Sequence, residues 1–330
     1  MLSTTGTHSP PIQVAVFGKT PLMGDFLRVG SGGPAGEALE QWVEQGLALA
    51  EAKRGSAWPS TYAQGATYAF VYRPPRASLA REALVGVIKP SVDSVGRRYP
   101  LVVYAPALPR TAVPWPHVLP IALGDFFDGA ATLLMEADAV TGIADMQAAL
   151  RRVPLPHFGD ADRSAQEYEA WAASTPLGHA WSVVYGMDQA LSVPRAVHTL
   201  WEAVAPFRGA EAPATKLGLR LPLGPGGIAA AAFWLDTVRR LARSPGELRT
   251  CFWCFDGETG SAIVQLGDTP ASTLGELWSP DANSEYLCDL TVPASVDVGR
   301  FLTKLPPHVA EALQSPQARV RDFLDRLTVS

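Results

Sequence analysis

Cysteine is scarce in this chain, and so are positive charge and long apolar runs. Three cysteines in 330 residues exclude a disulfide framework and favour a reducing compartment. The 27 Lys and Arg against 32 Asp and Glu leave a net charge of -5, which gives no basic field to hold nucleic acid or anionic lipid. The longest apolar run, Ile228–Leu235, is far shorter than a bilayer span, and Met1–Pro11 has no apolar core of the kind a signal peptide needs. These absences predict a cytoplasmic protein that binds no nucleic acid and does not insert into membranes.

Local catalytic and metal-binding motifs are also missing. The six histidines are widely spread, with no His-x-His or His-Glu-x-x-His, and no Gly-x-Ser-x-Gly elbow occurs. Cys251 and Cys254 have CxxC spacing, but residues three apart on a strand face opposite ways, and zinc would need further ligands. We therefore expect these thiols, like Cys288, to be core residues.

Two glycine-rich loops, Gly30–Gly36 and Gly224–Gly227, stand before predicted helices. Helix N-terminal amides can hold an anion, but neither loop has the Lys-Ser/Thr ending of a phosphate loop or the spacing of a dinucleotide fingerprint. We therefore expect no enzyme activity, no cofactor and no metal ion. The alternative is a small hydrolase or nucleotide-binding enzyme that uses these loops.

What is present is a regular alternation of apolar runs and amphipathic stretches, in a chain with 47% hydrophobic and 18% charged residues. Apolar runs predict strands at Ile12–Phe17, Thr67–Tyr72, Ala83–Ile88, Leu101–Ala105, Leu217–Leu223, Thr250–Phe255 and Ser261–Leu266. Apolar residues at 3,4 spacing predict a long helix from Pro34 and others at Gly124–Met135, Ile143–Arg152, Gln166–Ala173, Arg195–Ala205, Ile228–Arg243 and Pro316–Leu327.

These elements predict an α/β (α+β) protein with a mixed, largely antiparallel sheet and packed helices, in two lobes joined by a helical connector. The predicted division is an N-terminal α/β domain at 12–140, a helical connector at 141–215 and a C-terminal lobe at 216–330 that ends in helices. The connector is inferred from a segment without strand-like alternation.

Two loops stand out between the predicted elements of the first domain, Gly18–Phe26 and Ile88–Leu101. Prolines at both ends stiffen the second loop and push the residues before them toward extended geometry. Asp93 can accept hydrogen bonds from local amides, while Arg97 and Arg98 offer planar donor forks. Such a charged bend suits either recognition or a structural clamp, and the residues leave both interpretations open.

The same two loops resemble the motifs of the TagF family, roughly G-K-x-P-x-x-G-D-F and P-S-x-D-x-V-G-R-x-[FY]-P-L. The matching residues are Gly18, Lys19, Pro21, Gly24, Asp25, Phe26, Pro90, Ser91, Asp93, Val95, Gly96, Arg97, Tyr99, Pro100 and Leu101. Where the family often has a basic residue before the Gly-Asp pair, this chain has Met23.

Members of the TagF family are accessory proteins of bacterial type VI secretion systems. The resemblance implies a non-catalytic cytoplasmic regulator that holds secretion off after translation by protein–protein binding, with the forkhead-associated scaffold protein of the system as a candidate partner. Some relatives are fused to a phosphatase domain, whose aspartate-rich metal motif we do not find here. The binding candidates that the resemblance implies are Gly18, Lys19, Gly24, Asp25, Ser91, Asp93, Gly96 and Arg97.

Overall fold

A single twisted sheet with helices on both faces forms the framework of the molecule. The computed structural model describes residues 13–109, 113–186, 192–208, 216–244, 246–254, 260–281, 284–291, 298–315 and 317–329. In these ranges the strands are β1 Ala15–Gly18, β2 Leu27–Val29, β3 Tyr68–Tyr72, β4 Glu82–Lys89, β5 Leu101–Pro109, β6 Gly218–Pro222, β7 Cys251–Cys254, β8 Ser261–Gln265 and β9 Leu287–Asp289. Their order across the described sheet is β2-β1-β5-β4-β3-β7-β8-β6-β9. All pairs are antiparallel except the parallel pair β6–β9.

The helices occur in all parts of the described chain. They are α1 Gly33–Arg54, α2 Trp58–Ala63, α3 Leu119–Ala122, α4 Gly124–Glu136, α5 Ile143–Leu150, α6 Ala161–Ser174, α7 Leu177–Tyr185, α8 Val193–Val204, α9 Gly227–Leu241, α10 Thr273–Trp278, α11 Val298–Leu302, α12 Pro307–Gln314 and α13 Val320–Arg326. Short 3-10 turns join several of them, including Pro116–Val118 before α3.

Strand alternation divides the core into two layers. In β3, Tyr68, Phe70 and Tyr72 point to the side covered by α1 and α10, while Ala69 and Val71 point to the side covered by α4 and α9. Successive side chains of a strand alternate between the faces of the sheet. Because both faces are buried, the strand sequences read as continuous apolar runs, which is what the sequence predicted for them.

The predicted fold class, a mixed and largely antiparallel α+β fold, is confirmed. The expected lobes share one sheet, since β3 of the first segment pairs with β7 of the last, Phe70 opposite Phe252. The described residues of 141–215 contain α5 to α8 and no strand. Asp256 and Gly257 predict a hairpin turn between β7 and β8. That turn lies outside the described residues, and the two strands pair antiparallel.

Several boundaries differ from the predicted ones by a few residues, and two strands were missed. β2 and β9 contain three residues each, too few to show a period-2 pattern. Within the described ranges no single helix has the length and apolar character to cross a bilayer. One bent pair of helical segments, Pro116–Ala122 and Gly124–Ala139 at 58°, satisfies the length and composition criteria together.

Candidate functional site

Sheet pairing brings the two motif loops together. The loop 18–26 leaves the end of β1, and the loop 90–100 enters the start of β5. Because β1 and β5 are antiparallel neighbours, with Phe17 opposite Val102, the end of one strand lies beside the start of the other. The amide of Ser94 then donates to the carbonyl of Met23 at 3.2 Å and bonds one loop to the other. We call the combined surface of these two loops the motif platform.

Asp93 is the centre of the platform. Its carboxylate is fully buried, and Oδ1 accepts hydrogen bonds from the amides of Val95 at 3.1 Å and Arg97 at 2.8 Å. Oδ2 accepts from Arg97 Nε at 2.6 Å and from the ammonium of Lys19. Burial by itself raises the pKa of the Asp93 carboxyl, but the bonds from Lys19, Arg97 and Val95 outweigh it and hold that pKa well below its ordinary value. The carboxylate is therefore a structural anion that ties both loops to one point.

Arg97 has two roles at once. Its Nη2 donates to the carbonyl of Gly24 in the other loop, while its side chain remains 61% exposed. Asp93 is thus a structural residue that holds the two loops together. Arg97 also joins the loops, but it still presents its charge to solvent. Of the two interpretations that the sequence left open, the structural one fits Asp93, and Arg97 is available for recognition.

The glycines of the motifs let the loops pass closely. At Gly18, where φ is +132°, an added Cβ would lie 2.1 Å from the carbonyl oxygen of Pro100, so only glycine fits there. Gly96 has φ +86° in the turn closed by its amide on the Asp93 carbonyl at 2.9 Å. Both are positioning residues of the backbone. Gly24 has its role through the carbonyl that Arg97 binds.

Ser91 and Asp25, the remaining candidates, lie in different environments. Ser91 is held through its main chain: its amide donates to the hydroxyl oxygen of Tyr62 at 3.0 Å, and its carbonyl accepts from that hydroxyl at 3.1 Å. Asp25 is exposed and makes no hydrogen bond or ion pair with another described residue. An aspartate in a Gly-Asp turn often caps local amides, but Asp25 does not do so here.

Apolar side chains on the platform face solvent. Val95 is 70% exposed and Leu22 is 54% exposed, and Phe26 at the edge packs against Tyr99 with ring centroids 5.0 Å apart. The guanidinium of Arg28 lies 5.6 Å from the centre of the Phe26 ring. Sequence reasoning missed Leu22 as a candidate, since no periodicity marks an exposed apolar residue in a loop.

The other candidate sites from the sequence have structural explanations. Cys251 and Cys254 lie on β7 and face opposite layers of the core, as predicted, and burial raises the pKa of Cys251 to about 12. No cluster of three or more His, Cys, Asp or Glu suited to a metal ion occurs among the described residues.

In the first glycine-rich loop, a Cβ on Gly32 would lie 2.4 Å from the Tyr104 ring. In the second, a Cβ on Gly224 would lie 2.2 Å from the carbonyl oxygen of Val183. Both loops therefore contain glycines at points of close packing.

The fold and the platform together define an α+β protein whose two motif loops form one bonded surface. Residues 15–153 match the family model described as the TagF N-terminal domain, type VI secretion system-associated. The matched residues include both motif loops, and the TagF family assignment made from the motifs is confirmed. The chain therefore carries a TagF N-terminal domain and is a type VI secretion-associated protein.

Comparison with curated proteins gave no match. Among solved structures, the chain is similar to the crystal structure of PA0076 from Pseudomonas aeruginosa PAO1. The TM-score is 0.48 and the sequence identity 18%, over 86% of this chain and 99% of that one. A likeness at this level carries no argument about function.

Proposed function

We propose that this protein is a cytoplasmic regulator of type VI secretion, which holds the secretion machine off after translation by binding one of its proteins. The partner we propose is the forkhead-associated scaffold protein of the system. The TagF N-terminal domain supports the association with secretion. The regulatory role, the partner and the absence of catalysis belong to the proposal.

The motif platform is the observation that carries the proposal. Its buried centre, Asp93, is fully engaged within the chain, whereas Val95, Leu22 and the outer part of Arg97 face solvent. Arginine and aromatic residues are enriched at protein interfaces, and the buried core of an interface is more apolar than the rest of the surface. A surface that is internally bonded loses little conformational entropy when it binds. These features suit docking of a protein better than conversion of a substrate.

The proposed contact can be tested by one substitution that leaves the platform's bonds intact. We expect Val95→Glu to weaken binding of the purified chain to the scaffold by about tenfold or more, because a charge would be placed in a desolvated contact. Leu79→Glu is the matched control: Leu79 is 88% exposed and lies before β4, at the end of the strand opposite to the loop 90–100. Equal affinity of both variants for the scaffold in isothermal titration would show that the platform is not part of the contact.

The regulatory role needs a cellular measurement. Deleting the gene for this chain in its own bacterium should raise secretion of type VI substrates into the medium without changing the amount of the structural proteins. The wild-type chain should restore repression and the Val95→Glu variant should not. Secretion that falls on deletion would contradict repression and indicate an assembly role.

A further inference from the structure

An open pocket of about 170 Å³ adjoins the motif platform. Both motif loops contribute to it, together with α2 and the end of α4. Its apolar walls come from Pro21, Tyr62, Val92, Leu101, Leu134 and Ala137. A cavity of about 150 Å³ lined by apolar side chains accepts a benzene-sized molecule. The pocket, which we call the motif groove, therefore has room for one apolar side chain of a partner.

Two cations, Lys89 in the groove wall and Arg98 beside it, have no acidic partner among the described residues. Lys89 lines the groove and is half-buried, and its ammonium donates only a long bond of 3.4 Å to the carbonyl of Leu134. Arg98 is paired through its backbone with Val92 in the groove wall. Burial raises the pKa of Tyr62, while the hydrogen bond that the Ser91 amide donates to its oxygen and the positive charge of Arg98 act against that rise, so Arg98 acts on a second wall residue. No described carboxylate lies within 4.0 Å of either cation.

This lack of partners distinguishes the groove from its surroundings. On the platform itself, Lys19 and Arg97 both bind Asp93, and on the adjoining strand β2 Arg28 binds Glu40. Half-buried charge without a counter-ion is costly, and a carboxylate from a partner would relieve that cost. Asp138 also lines the groove; it is exposed and has no described cation within 4.0 Å, so it opposes an acidic partner only through solvent-screened repulsion.

We propose that the motif groove binds an acidic segment of a protein partner, which inserts one apolar side chain between the groove walls and places carboxylates against Lys89 and Arg98. The proposal rests on the proposed function and deepens it, since it states the chemistry of the partner's contact segment. The exposed apolar surface of the platform would then flank the anchored segment.

The first test uses synthetic peptides and the full chain. The probe is a short fluorescent peptide of Asp and Glu around one central Leu, and its control has Lys in place of the acidic residues. Fluorescence anisotropy should show binding of the acidic peptide only. Lys89→Glu should raise its Kd about tenfold or more, as expected for reversal of a close charge. Asp138→Asn, the matched control on the opposite charge, should leave the affinity unchanged or increase it.

A variant without a charge change tests the apolar half of the proposal. Ala63 is exposed and lines the groove. Ala63→Trp should therefore fill the groove and weaken binding of the acidic peptide, while the thermal midpoint of the protein stays that of the wild type. The groove is not the site if the acidic and basic peptides bind equally, or if Lys89→Glu and Ala63→Trp both leave the Kd unchanged. Self-association of the wild type that Lys89→Glu abolishes in sedimentation would overturn the proposal in favour of a second copy.

The full-length scaffold separates this proposal from the proposed function. If the scaffold binds the wild type and the Lys89→Glu variant equally, the groove proposal fails and the proposed function stands. If the scaffold does not bind at all but the acidic peptide binds selectively, the scaffold is not the partner, and the proposal for the groove is supported. Weaker scaffold binding by Lys89→Glu, with Asp138→Asn unaffected, supports both.

Discussion

Asp93 and Arg97 show how one ion pair can connect a structural and a contact role. The carboxylate of Asp93 is wholly inside and accepts four hydrogen bonds from Lys19, Val95 and Arg97. Each is charge-assisted, which makes these bonds stronger than bonds between neutral groups. The exposed end of Arg97 is thereby held at a fixed place on the surface.

Replacing the central carboxylate should loosen the platform. We expect Asp93→Asn to lower the thermal midpoint by several degrees, because Lys19 would remain nearly buried without its counter-ion. Scaffold binding should weaken as well, since the two loops lose their common anchor. Circular dichroism melts and titration measure the two effects, with Asp25→Asn at the exposed motif position as control. A melt equal to that of the wild type would contradict the structural role of Asp93.

His117, in the 3-10 turn before α3, is another buried polar residue. Its ring packs edge-on against Tyr168 at 5.2 Å, and neither ring nitrogen has a hydrogen-bond partner among the described residues. Burial lowers the pKa of His117 from 6.5 to about 4, with Asp236 acting in the opposite direction and Arg239 in the same one. The folded protein therefore holds this imidazole neutral.

Stability should fall as the pH is lowered from 6.5 to 4. In that range the unfolded chain binds a proton at His117 and the folded chain does not, so the free energy of unfolding decreases by about 3 kcal/mol, and the His117 contribution stays constant below pH 4. His117→Phe keeps the ring contact and should remove this part of the pH dependence in urea titrations. Parallel losses in the two proteins over this range would contradict the assignment.

At the scale of elements, α9 is the helix to which α6 and α13 are bonded. Asp236 on α9 is fully buried and binds Arg239 and Arg240 of the same helix and the hydroxyl of Tyr168 on α6 at 3.2 Å. Arg240 also binds Asp325 on α13 at 2.8 Å. Three helices distant in sequence thus share one ion network, which contains both acidic and basic side chains.

Removing the buried acid should cost far more than removing an exposed one of equal local geometry. We expect Asp236→Ala to lower the free energy of unfolding by about 3 kcal/mol, since two arginines lose their buried partner. Asp160 pairs with Arg163 at the same i,i+3 spacing, but both are largely exposed, so Asp160→Ala should cost less than about 1 kcal/mol. Comparable losses for the two variants in denaturant titrations would show that the network contributes little.

At the scale of the whole molecule, the N-terminal domain packs against the C-terminal part. The indole of Trp42 on α1 stacks on Phe252 at 5.4 Å and donates to the carbonyl of Pro270 at 3.1 Å. The hydroxyl of Tyr68 donates to the Leu277 carbonyl at 2.9 Å. These contacts lie beside the pairing of β3 with β7 and join the two parts through core, sheet and helix.

A fragment of residues 1–153 should therefore fail to fold by itself. Without β7 and α10 it has an unpaired strand edge at β3 and an exposed apolar surface around Trp42 on α1, and both promote aggregation. We expect the fragment to bind a hydrophobic dye and to melt without a cooperative transition, while the full chain melts in one. A well-dispersed NMR spectrum from the soluble fragment would show instead that the matched TagF N-terminal domain folds without the C-terminal part.

Local patterns in the sequence were enough for the elements and for the platform. The apolar runs gave the strands from Tyr68 to Lys89 and beyond, and the 3,4 spacing gave α1, because burial of a face imposes its period on the residues. The motif residues gave the family and the two loops that carry it. The clamp at Asp93 was visible as one of two interpretations, since an aspartate followed by arginine in a tight turn fits local amides.

Only the tertiary structure decided which elements became neighbours. Antiparallel pairing of β1 with β5 places the two motifs side by side, and pairing of β3 with β7 makes one sheet of the two expected lobes. The motif groove and the ion network of Asp236 likewise combine residues far apart in the chain. Periodicity reports which face of an element is buried, but not what buries it, and that is settled by long-range contacts alone.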